Sequence, residues 1–270
     1  MAIITISHDS FSHGKEIAEK VAEKLGYECI GPEVIHEACQ AFNLPQTALK
    51  RALHDSPRPL ERFLSKKERY VAMFRAAFFE HMRRDNVVYH GLAGHVFLAG
   101  VPHVFKVRII TDRDDRVQEE MRREGLTDPD EARRRIDRQD AERRGWSKYL
   151  YGRDNHDPGL YDIYVNLQGI SIGQAVDIII NAMKISTNGH MPHMLRMLAD
   201  RALEAKVEAR LLQVFPDVDV QVRDGEVFAR INASIIQEEM VARKARGAVE
   251  DIEGVKAVRV GVAPSNYVPF

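Results

Sequence analysis

The sequence predicts an α/β protein, a parallel sheet with helices on both faces followed by a small αββαβ unit. Two observations predict it. Short apolar, β-branched runs alternate with helical patterns over roughly the first two thirds of the chain. After about residue 190 the pattern changes to strict two-residue alternation on either side of a tight turn. A chain of 270 residues is long enough for one large domain or two ordinary ones. With 44% hydrophobic and 29% charged residues, it has the composition of a soluble globular protein.

The first strand is "AIITI", and the helix after it carries Ile17, Val21, Ala22 and Leu25 at helical spacing, closed by Gly26. A helical region from about Pro32 to Arg84 follows, broken at Pro45 and by the turn Ser56 to Pro59. It is too long for a plain crossover and predicts a separate lobe over the sheet edge. "NVVYHG", "HVFKVRIIT" and "YDIYVNL" supply the second, third and fourth strands. Between the last two lies an arginine-dense helix with Asp128 as its cap and Pro129 at its first position. "IGQAVDIIINAM" closes the unit.

"STNGHMPHM" reads as a linker. Beyond it come an amphipathic helix, a hairpin turning at Asp224-Gly225, a second helix and a last strand, "VKAVRVGV". The predicted division is residues 1–185, a linker at 186–194 and a second domain at 195–265.

Totals exclude some functions. Thirty-nine basic against forty acidic residues leave a net charge of -1, so the total gives no support for attraction to nucleic acid or anionic membrane, leaving only a local patch. Cys29 and Cys39 are too few for a disulfide framework and read as buried thiols of a reducing compartment. No leader pattern or membrane-length apolar run is present, so a cytoplasmic location is expected. The eleven histidines form no His-Glu-x-x-His pattern, and no metal ligands are assigned among them.

The chemistry concentrates in two places. In "SHDSFSHGKE" the pair Gly14-Lys15 stands where a strand turns into a helix. Backbone N–H groups at a helix start attract phosphate, and a lysine there adds a point charge. Glu16 occupies the place of the hydroxyl residue that normally holds magnesium in such loops. In the arginine-dense helix, Glu131–Arg135 suits a solvated i,i+4 ion pair. Arg135, Arg138 and Arg143 around Asp140 also suit guanidinium groups folding over a nucleotide. Trp146, Tyr149 and Tyr151 follow at spacings that suit packing or a lid hinge.

Taken in order, these segments resemble the cytidylate kinase-like family of P-loop nucleoside monophosphate kinases. The carriers are "ITISHDSFSHGKEIAEKVAEKLGY", "VVYHGLAGHVFL", "VRIITDRDDRVQEE" with Arg116, and the lid segment with Asp140-x-x-Arg143 and its following "YDIYVNL". The resemblance implies a P-loop kinase-type sheet, ATP with Mg2+, and phosphoryl transfer to a nucleoside monophosphate such as CMP. It implies nucleotide-binding roles for Ser12, His13, Gly14, Lys15, Glu16 and Asp140, and catalytic roles for Lys15, Arg116, Arg138 and Arg143. The chain departs from the family where Phe11 and His13 replace loop glycines, Leu92 an arginine and Leu167 a threonine. Side chains at 11 and 13 are expected to narrow or reshape the loop. The C-terminal unit resembles the BON domain through "VDVQVRDGEVFARINA" and "VEDIEGVKAVRVGV", with Asn232 at a usual glycine. That implies phospholipid or protein contact. The alternative expectation is an impaired nucleotide or anion sensor whose C-terminal module binds a membrane surface or protein.

Overall fold

The computed structural model describes residues 2–31, 33–49, 66–91, 93–186, 191–233 and 237–263, with the side chains of residues 66, 67, 146, 149–151, 191 and 192 outside that description. Five parallel strands form the larger sheet: β1 (Ile3–His8), β2 (Glu28–Ile30), β3 (Val87–His90), β4 (Val104–Ile110) and β5 (Ile163–Asn166). Their spatial order is β2-β3-β1-β4-β5. The sequence expectation of four strands missed β2. Its three residues, Glu28, Cys29 and Ile30, are too few to show a period, and pairing with Val87–Tyr89 creates the strand. All of β3 and most of β1 are buried, as strands covered on both faces must be.

The chain leaves β1 towards β2 on one side and later crosses to β4 on the other. β1 is therefore the switch point of the sheet, and the crevice beyond its carboxyl end is where such sheets bind ligands. Helix α1 (Gly14–Leu25) starts there and ends at Gly26, left-handed at φ 66°, as its sequence predicts. α1 and β1, β3 and β4 bury Ile6, Ile17, Val21, Val88 and Val107 on one face of the sheet.

On the other face lie α2 (Glu33–Phe42) and α3 (Lys66–Met82). The sequence suggested a separate lobe here, but both helices belong to the main core. Phe74, Phe78 and Phe79 of α3 are fully buried with Ile3, Val87 and Tyr89, and Phe78 meets Tyr89 edge-on at 4.8 Å. The predicted turn at 56–59 lies outside the described residues.

A short helix, α4 (Gly94–Phe97), follows β3. After β4 come α5 (Arg113–Glu124) and α6 (Pro129–Tyr151). Asp112 and Asp128 cap these two helices by accepting from the backbone N–H groups of Asp114 and Asp130. α7 (Ile172–Ser186) closes this part of the chain.

The C-terminal part comprises α8 (Met191–Leu211), β6 (Val218–Arg223), β7 (Glu226–Asn232), α9 (Glu238–Val249) and β8 (Ala257–Ala263). β6 and β7 are antiparallel, and β8 joins β7 in parallel. Asp224 and Gly225, at φ 51° and 82°, form the tight turn that the dipeptide predicts. α8 has two buried faces. Met194, Leu198 and Ala202 enter the core of α3, while Leu203, Val207 and Leu211 enter the core of the small sheet. Lys206 also reaches Glu80 at 2.8 Å, and Arg75 pairs with Glu208.

Candidate functional site

The loop from β1 to α1 keeps a glycine-type backbone without the glycines. Phe11 and His13 have φ of 60° and 55°, a left-handed conformation that costs an L-residue about 1–2 kcal/mol. Its surroundings hold that backbone in place. The Ser12 hydroxyl donates to the Asp9 carbonyl at 2.7 Å, and Arg116 Nε donates to the Ser10 carbonyl at 2.8 Å. Arg143 donates to the His8 carbonyl at 3.0 Å. The Phe11 ring turns away from the helix start. It packs on the cluster of Val117, Ala132 and Ile136, with the Arg123 guanidinium 5.8 Å from its centroid.

At Gly14 a Cβ would stand 2.2 Å from Cγ of His8, so only glycine lets the start of α1 approach the end of β1 this closely. The first N–H groups of α1 are thereby presented at the switch point with the positive end of the helix dipole.

A cavity of about 250 Å³ opens beside this loop, over the carboxyl ends of β1, β3 and β4. Its apolar wall comes from Ile35, Phe74 and Tyr89, and its polar wall from His8, Lys15, His95, Arg108, Arg143 and Asn155. Burial and the nearby Arg143 push the His8 imidazole down to about 4. Burial beside Arg108 takes His95 down to about 3, and burial also lowers His90. These three rings are therefore neutral at pH 7. The positive groups facing the cavity are Lys15, Arg108 and Arg143.

Arg108 is almost fully buried and pairs with Asp9, while its Nη1 donates to Ser7 at 2.9 Å. Burial works against the charge of Asp9. The His156 hydrogen bond and the guanidinium groups of Arg108 and Arg116 outweigh it and hold the carboxyl below its ordinary range. Desolvation lowers Arg143 as well, though its charge persists at any ordinary pH.

A second, more open cavity of about 430 Å³ lies beyond the loop, lined by His13, Thr111 and Asp115 and by the apolar Leu167, Ile170 and Ile172. His8 and Lys15 line the first cavity and His13 the second. The two spaces thus both border the loop between β1 and α1.

The structure brings together most of the residues singled out in the sequence. Gly14, Ser12 and His13 form the loop and the start of α1, with His13 as N-cap. Lys15 projects 70% exposed and stands 3.6 Å from Glu19. Glu16 is held below its usual range by the Lys20 hydrogen bond at 2.8 Å. Asp140 grips Arg116 through both oxygens, at 2.7 and 2.9 Å. Arg116 and Arg143 thus both bond the loop's own backbone, and Arg143 also lines the first cavity. Arg138 is exposed on α6 and is not among the residues lining either cavity. The side chains of Trp146, Tyr149 and Tyr151, and all of Leu92, lie outside the described residues.

Arg108, Asp9, His95, Asn155 and Tyr161 were not found from the sequence. "HVFKVRIIT" does carry one signal, an arginine flanked by Val107 and Ile109 in a largely apolar strand that also holds Lys106; a buried arginine must find a partner. Among the described residues no group of three or more His, Cys, Asp or Glu could hold a metal ion. Cys39 is buried, but Cys29 is only half-buried, its thiol pushed up to about 11 by burial. No helix among the described residues is long and apolar enough to cross a membrane.

Comparison with known proteins places this geometry. Among curated proteins none matches the chain. Of solved structures, an uncharacterized protein from Eubacterium ventriosum ATCC 27560 is similar with a TM-score of 0.53 at 19% identity, over 68% of this chain and 99% of the other. That likeness bears on the fold alone. Shikimate kinase from Bacteroides thetaiotaomicron (12% identity, 68% and 98% covered, TM-score 0.43) and dephospho-CoA kinase from Campylobacter jejuni (15%, 69% and 98%, 0.35) are more distant. The model of the cytidylate kinase-like family matches residues 3–168, from the first residue of β1 through α5 and α6 to just beyond β5. Well over half of the sequence is covered by that match, and the chain belongs to the cytidylate kinase-like family.

Proposed function

We propose that this protein is an ATP-dependent nucleoside monophosphate kinase that takes a CMP-like acceptor. One observation carries the reading, namely two cavities that both draw lining residues from the loop between β1 and α1 and its flanks. Transfer between two bound molecules needs that layout, with the donor's terminal phosphate facing the acceptor's.

The wider cavity, with its apolar Leu167, Ile170 and Ile172, suits the base of ATP. The enclosed one, with Lys15 and Arg143 at its polar wall, suits the acceptor's phosphate. The first N–H groups of α1 and the Lys15 ammonium would hold the donor phosphates and offset charge that develops during transfer. ATP supplies the phosphoryl group, and Mg2+ offsets its charge. Mg2+ keeps several waters and needs only one or two protein oxygens besides phosphate. Glu16, at the loop's edge and 44% exposed, fits that requirement once it leaves Lys20.

A coupled ADP-release assay with ATP, Mg2+ and a panel of monophosphates tests the proposal. Turnover with a pyrimidine monophosphate, reduced at least 100-fold in Lys15→Ala, is expected. No turnover with any acceptor would overturn it.

A second reading has its own support. Phe11 and His13 stand in left-handed backbone where loop glycines are usual, which favours a nucleotide or anion sensor without transfer. ATP binding by calorimetry with no ADP formed would establish that reading. In either case we propose that the C-terminal unit is a BON-type module making phospholipid or protein contact. Co-sedimentation of the full chain with anionic vesicles tests the lipid arm, and absence of lipid-dependent pelleting leaves protein contact.

A further inference from the structure

β8 lies at one edge of the small sheet, and among the described residues it pairs with β7 alone. Two bonds show which of its backbone groups face outward. Asn232 N–H donates to the Asp217 carbonyl on the β6 side, and Ala233 N–H donates to the Ala263 carbonyl of β8. The N–H and C=O of one strand residue point to the same side, and those of successive residues to opposite sides. Ala257, Arg259, Gly261 and Ala263 therefore turn these groups towards β7, in the register Glu226–Ala257 to Asn232–Ala263. Those of Val258, Val260 and Val262 point outward, and among the described residues nothing bonds them.

The two edges of this sheet differ. On β6 the Val222 N–H is taken by the Glu204 side chain of α8 at 3.4 Å. β8 has a continuous register with β7 and holds no proline or lysine, so the devices that usually blunt an edge strand are missing. Its one charge, Arg259, is engaged within the chain, 3.2 Å from Glu226 and with its guanidinium 5.4 Å from the Phe228 ring centroid. Val258, Val260 and Val262 pack on the core of the small sheet yet are only half-buried. The core is thus left open along this edge.

The sequence of β8, A-V-R-V-G-V-A, reads almost the same in both directions about Val260. We propose that β8 pairs with β8 of a second copy of this chain, antiparallel about a twofold axis at Val260. Two three-stranded sheets then join into one of six strands. Val260 meets Val260, Val258 meets Val262, and Ala257 meets Ala263. The valines carry the outward N–H and C=O groups, so their pairs close the ladder with hydrogen bonds in both directions. Arg259 falls opposite Gly261 of the second copy, so like charges are not directly opposed and the glycine leaves the arginine room. The strand complements itself in hydrogen bonding, side-chain size and charge at this one register, which identifies the occupant as a second copy. The contact is isologous. It is small beside the roughly 1,200 Å² of a stable interface, so the dimer exchanges with monomer at micromolar concentration. The proposal does not depend on the kinase reading.

Sedimentation of the full chain from micromolar to millimolar concentration tests it, with a matched pair of variants at Gly261. A Cβ there meets nothing within 4 Å. Arg230, its neighbour on β7, is already paired with Asp219 at 3.5 Å. Gly261→Glu sets a carboxylate opposite Arg259 of the second copy and is expected to tighten the dimer by roughly threefold or more. Gly261→Arg sets two guanidinium groups face to face and is expected to weaken it by roughly the same factor. Circular dichroism and Tm check that each variant is folded. Amide hydrogen exchange at Val258, Val260 and Val262 should slow as the wild-type dimer forms. A monomer across the whole range would overturn the proposal. Slow exchange at the three valines in that monomer would give the edge to a segment of the same chain. A dimer equally tight in both variants, or one whose valine amides exchange as fast as in the monomer, would also overturn it by placing the contact elsewhere.

Discussion

His13 and Phe11 hold left-handed backbone for different reasons, and substitution separates them. The His13 side chain contributes only a 3.4 Å approach to Glu16. His13→Gly is therefore expected to stabilise the fold by about 0.5–1 kcal/mol, the relief of strain less the extra freedom glycine gives the unfolded chain. Phe11→Gly gains the same relief but loses packing on Val117 and Ile136, for a net loss of about 1–2 kcal/mol. Urea unfolding of both variants checks the opposite signs. His95 makes a pH prediction. Its folded value near 3 lies below the ordinary value of about 6.5, so on acidification the unfolded chain takes up a proton first. Stability is full above pH 6.5 and falls as pH drops towards 3, by about 2 kcal/mol at pH 5 from this group. Denaturant titrations across that window should show one fewer proton taken up on unfolding in His95→Phe. At this scale the sequence revealed what sits in a local pattern: Gly14-Lys15 at a strand-to-helix turn, and Asp140 and Arg143 one helical turn apart. It did not reveal Arg108 and Asp9, whose partnership spans 99 residues and exists only because β4 lies beside β1.

Elements meet at the loop, where α5 and α6 act as its outer support. Arg116 leaves α5 to bond both the Ser10 carbonyl and Asp140 of α6, so one buried guanidinium joins three elements. Asp140→Ala leaves that guanidinium with its main partner gone. A loss of about 2–3 kcal/mol is expected, below the range for fully buried pairs because Asp140 is partly exposed. Faster amide hydrogen exchange at residues 9–13 should accompany it, while α9 stays unchanged. The outer face of α6 behaves as its spacing predicts, with Arg135 and Glu131 paired at 2.7 Å. Helix caps and the Asp224-Gly225 turn were legible because their chemistry is local. β2 was not, since three residues carry no period and only the edge of β3 makes them a strand.

Across the whole molecule, α8 ties the C-terminal part to the first. The sequence suggested a linker followed by a second domain, and amphipathic spacing does not tell how many faces a helix buries. Met194, Leu198, Ala202, Ala205, Ala209 and Leu212 share a core with Phe74, and Phe74 also lines the enclosed cavity. A chain ending at Ser186 should therefore expose that core and lose on the order of 5 kcal/mol, at about 1.5–3 kcal/mol for each large side chain. Its melting transition and dye binding would report the change. An unchanged Tm would show that α8 contributes nothing to the first part. The central claim is that one loop serves two substrates held in two cavities. Its most direct test is titration with a dinucleoside pentaphosphate joining adenosine to cytidine, which must occupy both cavities at once. Binding at least 100-fold tighter than ATP alone, lost in Lys15→Ala, is the predicted result. Binding no tighter than ATP alone would contradict the account.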